Sequence, residues 1–489
     1  MPRPRLNFLA QDVPGGAEMK ASTREVSWDE LRQHSTKESC WVVIHGKVWD
    51  VTGFINAHPG GAQVILKHAA TDMTRPYADV HDEELVEKTL PSAAFIGKCD
   101  EALAEKISTW DFVERDPGSG PRLNAILNLD DFEKAAKAYL SPEAWAYYSS
   151  GAEDERSLGE ARDIFSRVTL RPRVLRDVSR IDTSREILGR FSPLPIYISP
   201  TGQSRYAHPD GELCISRACG GEGILWCMPT TANHDRICRG RVHPQQPLAL
   251  QLYTGRDYEK TRALLLQAKA LGVSAIFLTV DSPVIGRRER DDRVKVANGE
   301  DVLVAQGTAK AGSLHLLNPS LTWEDLGWIR ETTGLPLVLK GVQTVEDAVE
   351  AYNRGLDGIV LSNHGGRSLD TAQSPMMVLL EIRKHAPHLV ADVAVRRRFQ
   401  VMVDGGFRRG TDIIKALALG ASAVGIGRPS LYALTCSYGE EGVARMINML
   451  RNEIETSMAL LGASRLDELV PAMVNIERLE HEVQPRSRL

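Results

Sequence analysis

No two of the seven cysteines stand in a CxxC pair. Cys40, Cys99, Cys214, Cys219, Cys227, Cys238 and Cys436 are odd in number and scattered, several of them in apolar runs. They read as buried thiols in a reducing compartment, not as a disulfide framework or a zinc site. No apolar stretch approaches the roughly 18 residues that a membrane span needs. Neither sign of charge is massed: the net charge is −5 over 489 residues, with Lys and Arg dispersed, which gives no case for nucleic-acid binding. The first 20 residues carry Arg3 and Arg5 but no apolar h-region, so they are not a secretory signal, and they are short and polar for a mitochondrial presequence.

What is present is globular: 43% hydrophobic and 25% charged residues. The length exceeds one ordinary core and predicts two or three domains. The predicted division is a disordered lead over 1–23, a compact unit over 24–100, a linker over 101–123, a larger domain over 124–475 and a charged tail over 476–489. The linker holds Asp116-Pro117-Gly118-Ser119-Gly120-Pro121, which excludes regular structure.

In the first unit Ser27 and Glu30 have capping-box spacing. Cys40–Ile44 and Lys47–Val51 read as two strands turning at His45-Gly46. A helix is predicted over 62–69 and another after His81. His58 and His81 lie 23 residues apart, each beside a short helix. Two helix pairs can clasp a flat macrocycle with one imidazole on each side of its iron. In His58-Pro59-Gly60-Gly61, Pro fixes the turn and the glycines clear room. His45 and His68 are the competing candidates. From Val26 to Cys99 this unit resembles the cytochrome b5 family. The resemblance implies haem b with His58 and His81 as axial ligands, and so a carrier of electrons with no open iron site.

Beyond 195 short apolar runs recur, each followed by a helical pattern: Pro195–Ser199, Gly223–Met228, Leu248–Leu252, Ala275–Val280, Leu335–Lys340, Gly358–Leu361, Gln400–Val403 and Ala421–Ile426. Helices are predicted over Asp257–Leu271, Thr344–Arg354 and Thr411–Leu419. Eight such units over roughly 250 residues predict an α/β TIM (β/α)8 barrel behind the small α+β unit. The doubly wound alternative needs a GxGxxG after its first strand, and the chain has none. The long polar stretch from Asp281 to Ser320 reads as a mobile loop over the active-site face.

A barrel keeps its chemistry at the carboxyl ends of its strands. There the sequence puts Ser199-Pro200-Thr201-Gly202, then Pro229, Gln251 and Tyr253, Thr279 and Asp281 with Arg288 beyond, and Lys340. His364 and Arg367 follow, then Asp404-Gly405-Gly406-Phe407-Arg408, and last Gly427-Arg428. The final two loops combine exposed backbone N–H groups with Arg408 and Arg428, which suits a phosphate. Lys340 at a buried strand end needs an anion, and a flavin that takes negative charge on reduction would supply one. In Ser362-Asn363-His364-Gly365-Gly366-Arg367 a base stands beside a fixed cation, as proton abstraction from an anionic substrate requires.

Residues 124–475 resemble the FMN-dependent 2-hydroxy-acid dehydrogenase and oxidase family. The matching motifs are YYSSGAEDE, RPRVL, QLY, LTVDSP, GRRE, LVLKGV, SNHGGR, DGGFRRG and GIGRP, in that order. The resemblance implies FMN and a set of roles. His364 is the base and Asp281 stabilises its imidazolium. Arg367 and Tyr147 hold the substrate carboxylate, Tyr253 touches the hydroxyl and Arg288 assists. Ser199 to Gly202, Pro229, Gln251, Thr279 and Lys340 face the flavin; Asp404 to Arg408 with Gly427 and Arg428 hold ribityl and phosphate. With the haem unit in front, the whole chain resembles the fungal cytochrome-linked L-lactate dehydrogenases. That implies an L-2-hydroxy acid as substrate, cytochrome c as acceptor, a homotetramer and the mitochondrial intermembrane space, with the cytoplasm as the alternative because no clear presequence is visible. An oxidase using O2, with a regulatory haem domain, is the competing reading. Two departures stand out: Pro229 replaces a serine hydroxyl common in relatives, and Gly202 and Thr231 are small where the substrate side chain is expected. They predict a roomier pocket than strict lactate recognition needs.

Overall fold

The computed structural model describes residues 24–58, 62–66, 68–74, 77, 81, 85–100, 103, 120–298 and 317–483. The expected lead, the Pro59-Gly60-Gly61 turn, nearly all of the linker up to 119, loop residues 299–316 and the last six residues lie outside that set. The chain divides into two compact units, residues 1–112 and 113–489. All seven cysteines are free thiols. Among the described residues no helix is long and apolar enough to cross a membrane.

The first unit is built on five strands, β1 (Glu25–Val26), β2 (Ser35–Thr36), β3 (Ser39–Ile44), β4 (Lys47–Asp50) and β5 (Phe95–Cys99), in the order β1-β5-β4-β3-β2. His45 and Gly46 both have positive φ, 51° and 70°, the two-residue turn whose twist matches a right-handed hairpin. Ser27 caps the Trp28–Leu31 helix by accepting from Glu30 N at 3.3 Å, while the Glu30 carboxylate is engaged by Arg24. Half of the expected capping box is therefore formed. The helix expected over 62–69 is Ala62–Leu66. It stops early because the chain must return to the sheet: Ala70 N bonds Trp41 O at 2.7 Å and Met73 N bonds Val43 O at 2.8 Å.

In the second unit a short strand β6 (Thr169–Leu170) and a hairpin, β7 (Arg185–Ile187) and β8 (Arg190–Ser192), precede eight parallel strands. These are β9 (Ile196–Ile198), β10 (Leu225–Met228), β11 (Leu248–Leu252), β12 (Ala275–Thr279), β13 (Leu337–Val342), β14 (Gly358–Leu361), β15 (Gln400–Asp404) and β16 (Val424–Ile426). They close into a barrel, β16 pairing with β9. Every residue of the eight is buried. Tyr197, Cys227, Ala249, Phe277, Val338, Val360 and Met402 share one apolar cluster with Ile187 of the β7–β8 hairpin. The Gln400 side chain accepts from Leu188 N at 3.1 Å and donates to Glu186 O at 3.3 Å, tying that hairpin to the start of β15. The chemistry-bearing residues lie at the opposite, carboxyl ends.

Only Leu248–Leu252 and Gly358–Leu361 keep their expected bounds, and two of the other six strands are notable. The eighth begins at Val424, not 421. The fifth runs on through Gly341, where its register against β14 shifts between Lys340 and Val342. Ahead of the barrel the Leu129–Tyr139 helix is capped by Asn128 and the Pro142–Ser149 helix by Ser141, as the side chains at 128 and 141 lead one to expect.

Candidate active site

The expected barrel residues all line one cleft at the strand ends, with a single exception. Asp281 lies behind it, its side chain fully buried. Thr231 lines it as expected, and Tyr148, Gln203, Gly365, Gly425, Pro429 and Leu431 join the lining.

His364 follows β14 and itself adopts φ 59°, with Gly365 and Gly366 continuing at 65° and 74°. Three successive left-handed residues turn the imidazole into the cleft. Its Nδ1 donates to Asp281 Oδ1 at 2.8 Å, which leaves Nε2 as the bare acceptor, 3.4 Å from the Tyr253 hydroxyl. Ser282 Oγ backs this pair, 3.1 Å from Nδ1, 3.3 Å from Asp281 Oδ1 and 3.0 Å from Ser368 Oγ.

Burial alone would raise the Asp281 carboxyl, but the Lys340 and His364 charges and two hydrogen bonds hold it below the usual carboxylate range. Lys340 Nζ is 3.8 Å from Asp281 Oδ2 and donates to Ser362 Oγ at 3.3 Å. Burial pulls the ammonium down; Asp281 and Asp404 outweigh it and push it above its ordinary value. Both groups are thus ionised in a dry site. Removing the cation in Lys340→Met leaves a buried carboxylate uncompensated, and a destabilisation of about 3–5 kcal/mol is expected. Thermal unfolding of the cofactor-loaded protein measures it, and an unchanged Tm would rule this account out.

The His364 imidazole is held below the 6.5 of an exposed ring, by burial first, with Asp281 opposing and Lys340 and Arg288 adding to it. A lowered pKa means that the ring is an unprotonated base at neutral pH. The expected kcat/KM profile is flat near neutrality and loses activity only below pH 6.5, as the ring takes up a proton. Asp281→Asn removes the group that raises the His364 pKa. Its acid limb therefore moves to lower pH while its plateau falls, by about tenfold to a hundredfold. An acid limb that moves upward would contradict this assignment.

Gly341 is the residue that the sequence reading passed over. Its φ is 110°, and a Cβ there would stand 2.5 Å from Asp281 Cβ and Cγ. Only glycine lets the bulged strand pass so close to the carboxylate. The available signal was a glycine inside a strand, in LVLKGV.

Next to the base is a set of cations. Arg367 Nη1 donates to Tyr147 O and, at 3.2 Å, to Ser150 O, and its guanidinium lies 5.0 Å over the Tyr147 ring. Burial pushes its pKa down to about 9, and Arg288 and Arg428 add repulsion. Arg288 Nε is buried without a hydrogen-bond partner among the described residues. Half-buried cations without a carboxylate partner among the described residues call for an anion, and a planar carboxylate fits a guanidinium fork. Burial pushes Tyr253 up to about 12, so it remains a hydroxyl donor.

At the other end Gly405 and Gly406 have φ 95° and 83°, and Arg408 Nε is buried with no hydrogen-bond partner among the described residues, Asp130 Oδ1 standing 3.7 Å away. Arg408 also bonds Glu133 at 3.3 Å. Arg428 is more committed than expected: it donates to Tyr148 O, Gly365 O and Ser150 O at 2.8, 2.9 and 2.9 Å. Of a guanidinium's five N–H groups two remain for an anion. Thr201 Oγ1 is also buried and has no hydrogen-bond partner among the described residues. Gln251 spans to Thr230 N and Thr279 Oγ1, both at 3.0 Å. Orphaned donors at one end, a buried cation at the centre and glycine loops at the other end suit an elongated ligand with a phosphate terminus, so FMN fits. Pro229 departs further than expected. Its carbonyl accepts from His234 Nε2 at 3.0 Å, and proline has no N–H, so that strand end is left with apolar contact.

In the first unit the fold brings His58 and His81 ring to ring, with centroids 6.0 Å apart and planes at 89°. Imidazoles on opposite sides of one metal, with bonds of about 2 Å, have centroids roughly 6 Å apart. The short helices Ala62–Leu66 and Leu85–Thr89 flank the pair, with Ile55, Ile65, Tyr77 and Val86 in the apolar core beneath. The pair fits a bis-imidazole haem. His45 sits instead in the β3–β4 turn.

A family profile described as FMN-dependent dehydrogenase matches residues 136–476, and one described as cytochrome b5-like heme/steroid binding domain matches residues 27–100. The chain is 37% identical over 495 residues to an L-lactate dehydrogenase (cytochrome) of Wickerhamomyces anomalus, covering 98% of this chain and 84% of that protein. It is 39% identical over 372 residues to an L-lactate oxidase of Nostoc, covering 72% of this chain and 99% of that one. Among solved structures, a mutant flavocytochrome b2 with pyruvate bound is similar with a TM-score of 0.69 and 39% identity, covering 75% of this chain and 91% of that one.

Proposed function

The chain belongs to the FMN-dependent dehydrogenase family and carries a cytochrome b5-like haem domain ahead of it, and on that premise we propose that its cleft oxidises an L-2-hydroxy acid to the 2-oxo acid. When bound, FMN takes up the electron pair, and haem b passes electrons on one at a time. The rest is the work of this chain's residues. Arg367 and Arg288, with Tyr147 alongside, neutralise the substrate carboxylate and orient the molecule. Tyr253 donates to the hydroxyl. His364 Nε2 accepts one of the two protons that the CH–OH group loses, and Asp281 stabilises the imidazolium across the 2.8 Å bond to Nδ1. Lys340, Gln251 and Thr279 face the flavin ring, and Arg408, Arg428 and the Gly405–Gly406 turn face the phosphate. The observation that carries this reading is a neutral base held by a buried carboxylate beside two half-buried guanidiniums, Arg367 and Arg288, that have no carboxylate partner among the described residues.

Cytochrome c is the proposed acceptor, a compartment that holds it the proposed location and a homotetramer the proposed assembly. The test is an anaerobic visible spectrum of the purified protein before and after L-lactate, with no other acceptor. Flavin bleaching followed by sharp reduced-haem bands supports the reading. Flavin bleaching alone, with peroxide formed in step with substrate consumed once air is admitted, favours the oxidase reading, which the likeness of the barrel to an L-lactate oxidase supports.

The pocket beside the base is open. A Cβ built at Gly202 would touch only Thr231 Oγ1, at 3.4 Å. One methylene of mismatch is worth about 1–3 kcal/mol, so the unfilled volume favours longer or aromatic 2-hydroxy acids. L-Mandelate is expected to reach a kcat/KM within about tenfold of that for L-lactate. A thousandfold deficit would end the argument.

A further inference from the structure

We propose that Arg290, which does not line the cleft, is a positioning residue for carboxylate recognition: it fixes the carboxyl end of the Pro142–Ser149 helix and so the spacing of Arg367 and Arg288. The proposal rests on the reading of those two arginines as the carboxylate clamp.

The last carbonyls of a helix have no partner within it, and that end carries partial negative charge. Here three arginines from separate segments take them up: Arg367 from the loop after β14, and Arg428 and Arg290 from the first turns of the Arg428–Tyr432 and Glu289–Ala297 helices. Arg367 Nη1 bonds the carbonyls of Tyr147 and Ser150. Arg428 bonds those of Tyr148 and Ser150. The carbonyl of Ser149 goes to Arg290 Nη2 at 2.8 Å. The first two arginines line the cleft; the third stands outside it.

Arg290 is otherwise fully occupied. Its Nη1 bonds Ser149 Oγ at 2.7 Å, and its Nε and Nη2 fork onto the Glu155 carboxylate at 3.0 and 3.1 Å. Glu155 Oε1 also accepts from Gly151 N at 2.9 Å. Four of the five N–H groups of a guanidinium are thus directed at one short segment, 149–155. Arg290 stands two residues after Arg288, and Ser149 two residues after Tyr147. The fork therefore ties the segment that bears Arg288 to the helix end from which Arg367 takes its aim. Two backbone bonds run alongside: Glu153 N to Arg287 O at 2.8 Å and Ala152 N to Gly366 O at 2.7 Å. They hold the segments together without fixing the rotation of the helix end. A lysine could supply the charge but not the fork.

The test uses the full chain loaded with FMN and haem. Arg290→Gln is expected to raise KM for L-lactate and Ki for oxalate, a dicarboxylate without a hydrogen to give, together by about tenfold. Its kcat should stay within about twofold, with flavin content unchanged, and Arg290→Lys should fall between. KM and Ki that stay at wild-type values overturn the proposal. So does a fall in kcat and flavin content in step with Tm, which a merely structural ion pair would give. If Arg290→Gln does not fold, Glu155→Gln removes the fork's charge at constant shape and must give the same split. Arg367→Lys separates the two readings. If it leaves KM and Ki unmoved, the carboxylate clamp is the reading that failed; if it raises them while Arg290→Gln is silent, this proposal alone fails.

Discussion

His364→Gln is expected to lower kcat/KM for L-lactate by about 10²–10⁴-fold, the range for losing a positioned general base. Glutamine keeps a polar side chain of similar reach but cannot take up a proton. The cations at 288 and 367 are untouched, so Ki for oxalate should move far less than kcat. Lys340 and the glycine loops are also untouched, so the flavin should remain bound. The rate of flavin bleaching after anaerobic mixing with L-lactate isolates the chemical step from later electron transfer. A loss smaller than tenfold in that rate would mean that another group takes the proton. Ser282 is then the first to examine, since its hydroxyl lies 3.1 Å from His364 Nδ1.

Loss of either first-unit imidazole should separate the two halves of the reaction. His58→Ala or His81→Ala removes one of the two imidazoles expected to hold the haem, and the visible bands of a bis-imidazole haem should disappear or change. Cytochrome c reduction is expected to fall to background. Bleaching of the flavin by L-lactate should persist, as should reduction of ferricyanide, a small acceptor that takes electrons without the haem. These assays draw on separate units of the chain, so each controls for the other. Cytochrome c reduced at the wild-type rate by either variant would show that the haem is not the route.

Both predictions name residues that were legible in the sequence, because local pattern and covalent order carry that information. A strand of period two or a continuous apolar run announces itself, and eight such runs, each with a helix behind it, admit one closed arrangement. A barrel then puts whatever follows each strand on one face, so His364, Arg367, Lys340 and Arg408 could be assigned to a common cleft before any distance was known. The Ser27 cap and the His45-Gly46 turn were legible for the same reason: each acts on its own neighbours.

Other features depend on groups that only folding brings together. Gly341 matters because a bulge carries it against Asp281, 60 residues away in sequence, and no pattern within β13 encodes that contact. Arg428 reads as a phosphate ligand from its loop, yet two of its donors cap a helix that begins 286 residues earlier. From sequence Pro229 still offers the flavin a backbone acceptor; His234, one turn on, takes it. Arg290 shows nothing in sequence beyond a charge in a charged run, and its fork onto Glu155 exists only once helix end and loop meet. The sequence by itself determined the two units, the barrel and the residue types at each strand end, because periodicity and chain order are local. The tertiary structure decided which of those side chains are free to meet a ligand and which are spent holding the site in shape, because hydrogen-bond partners are allotted by proximity in space.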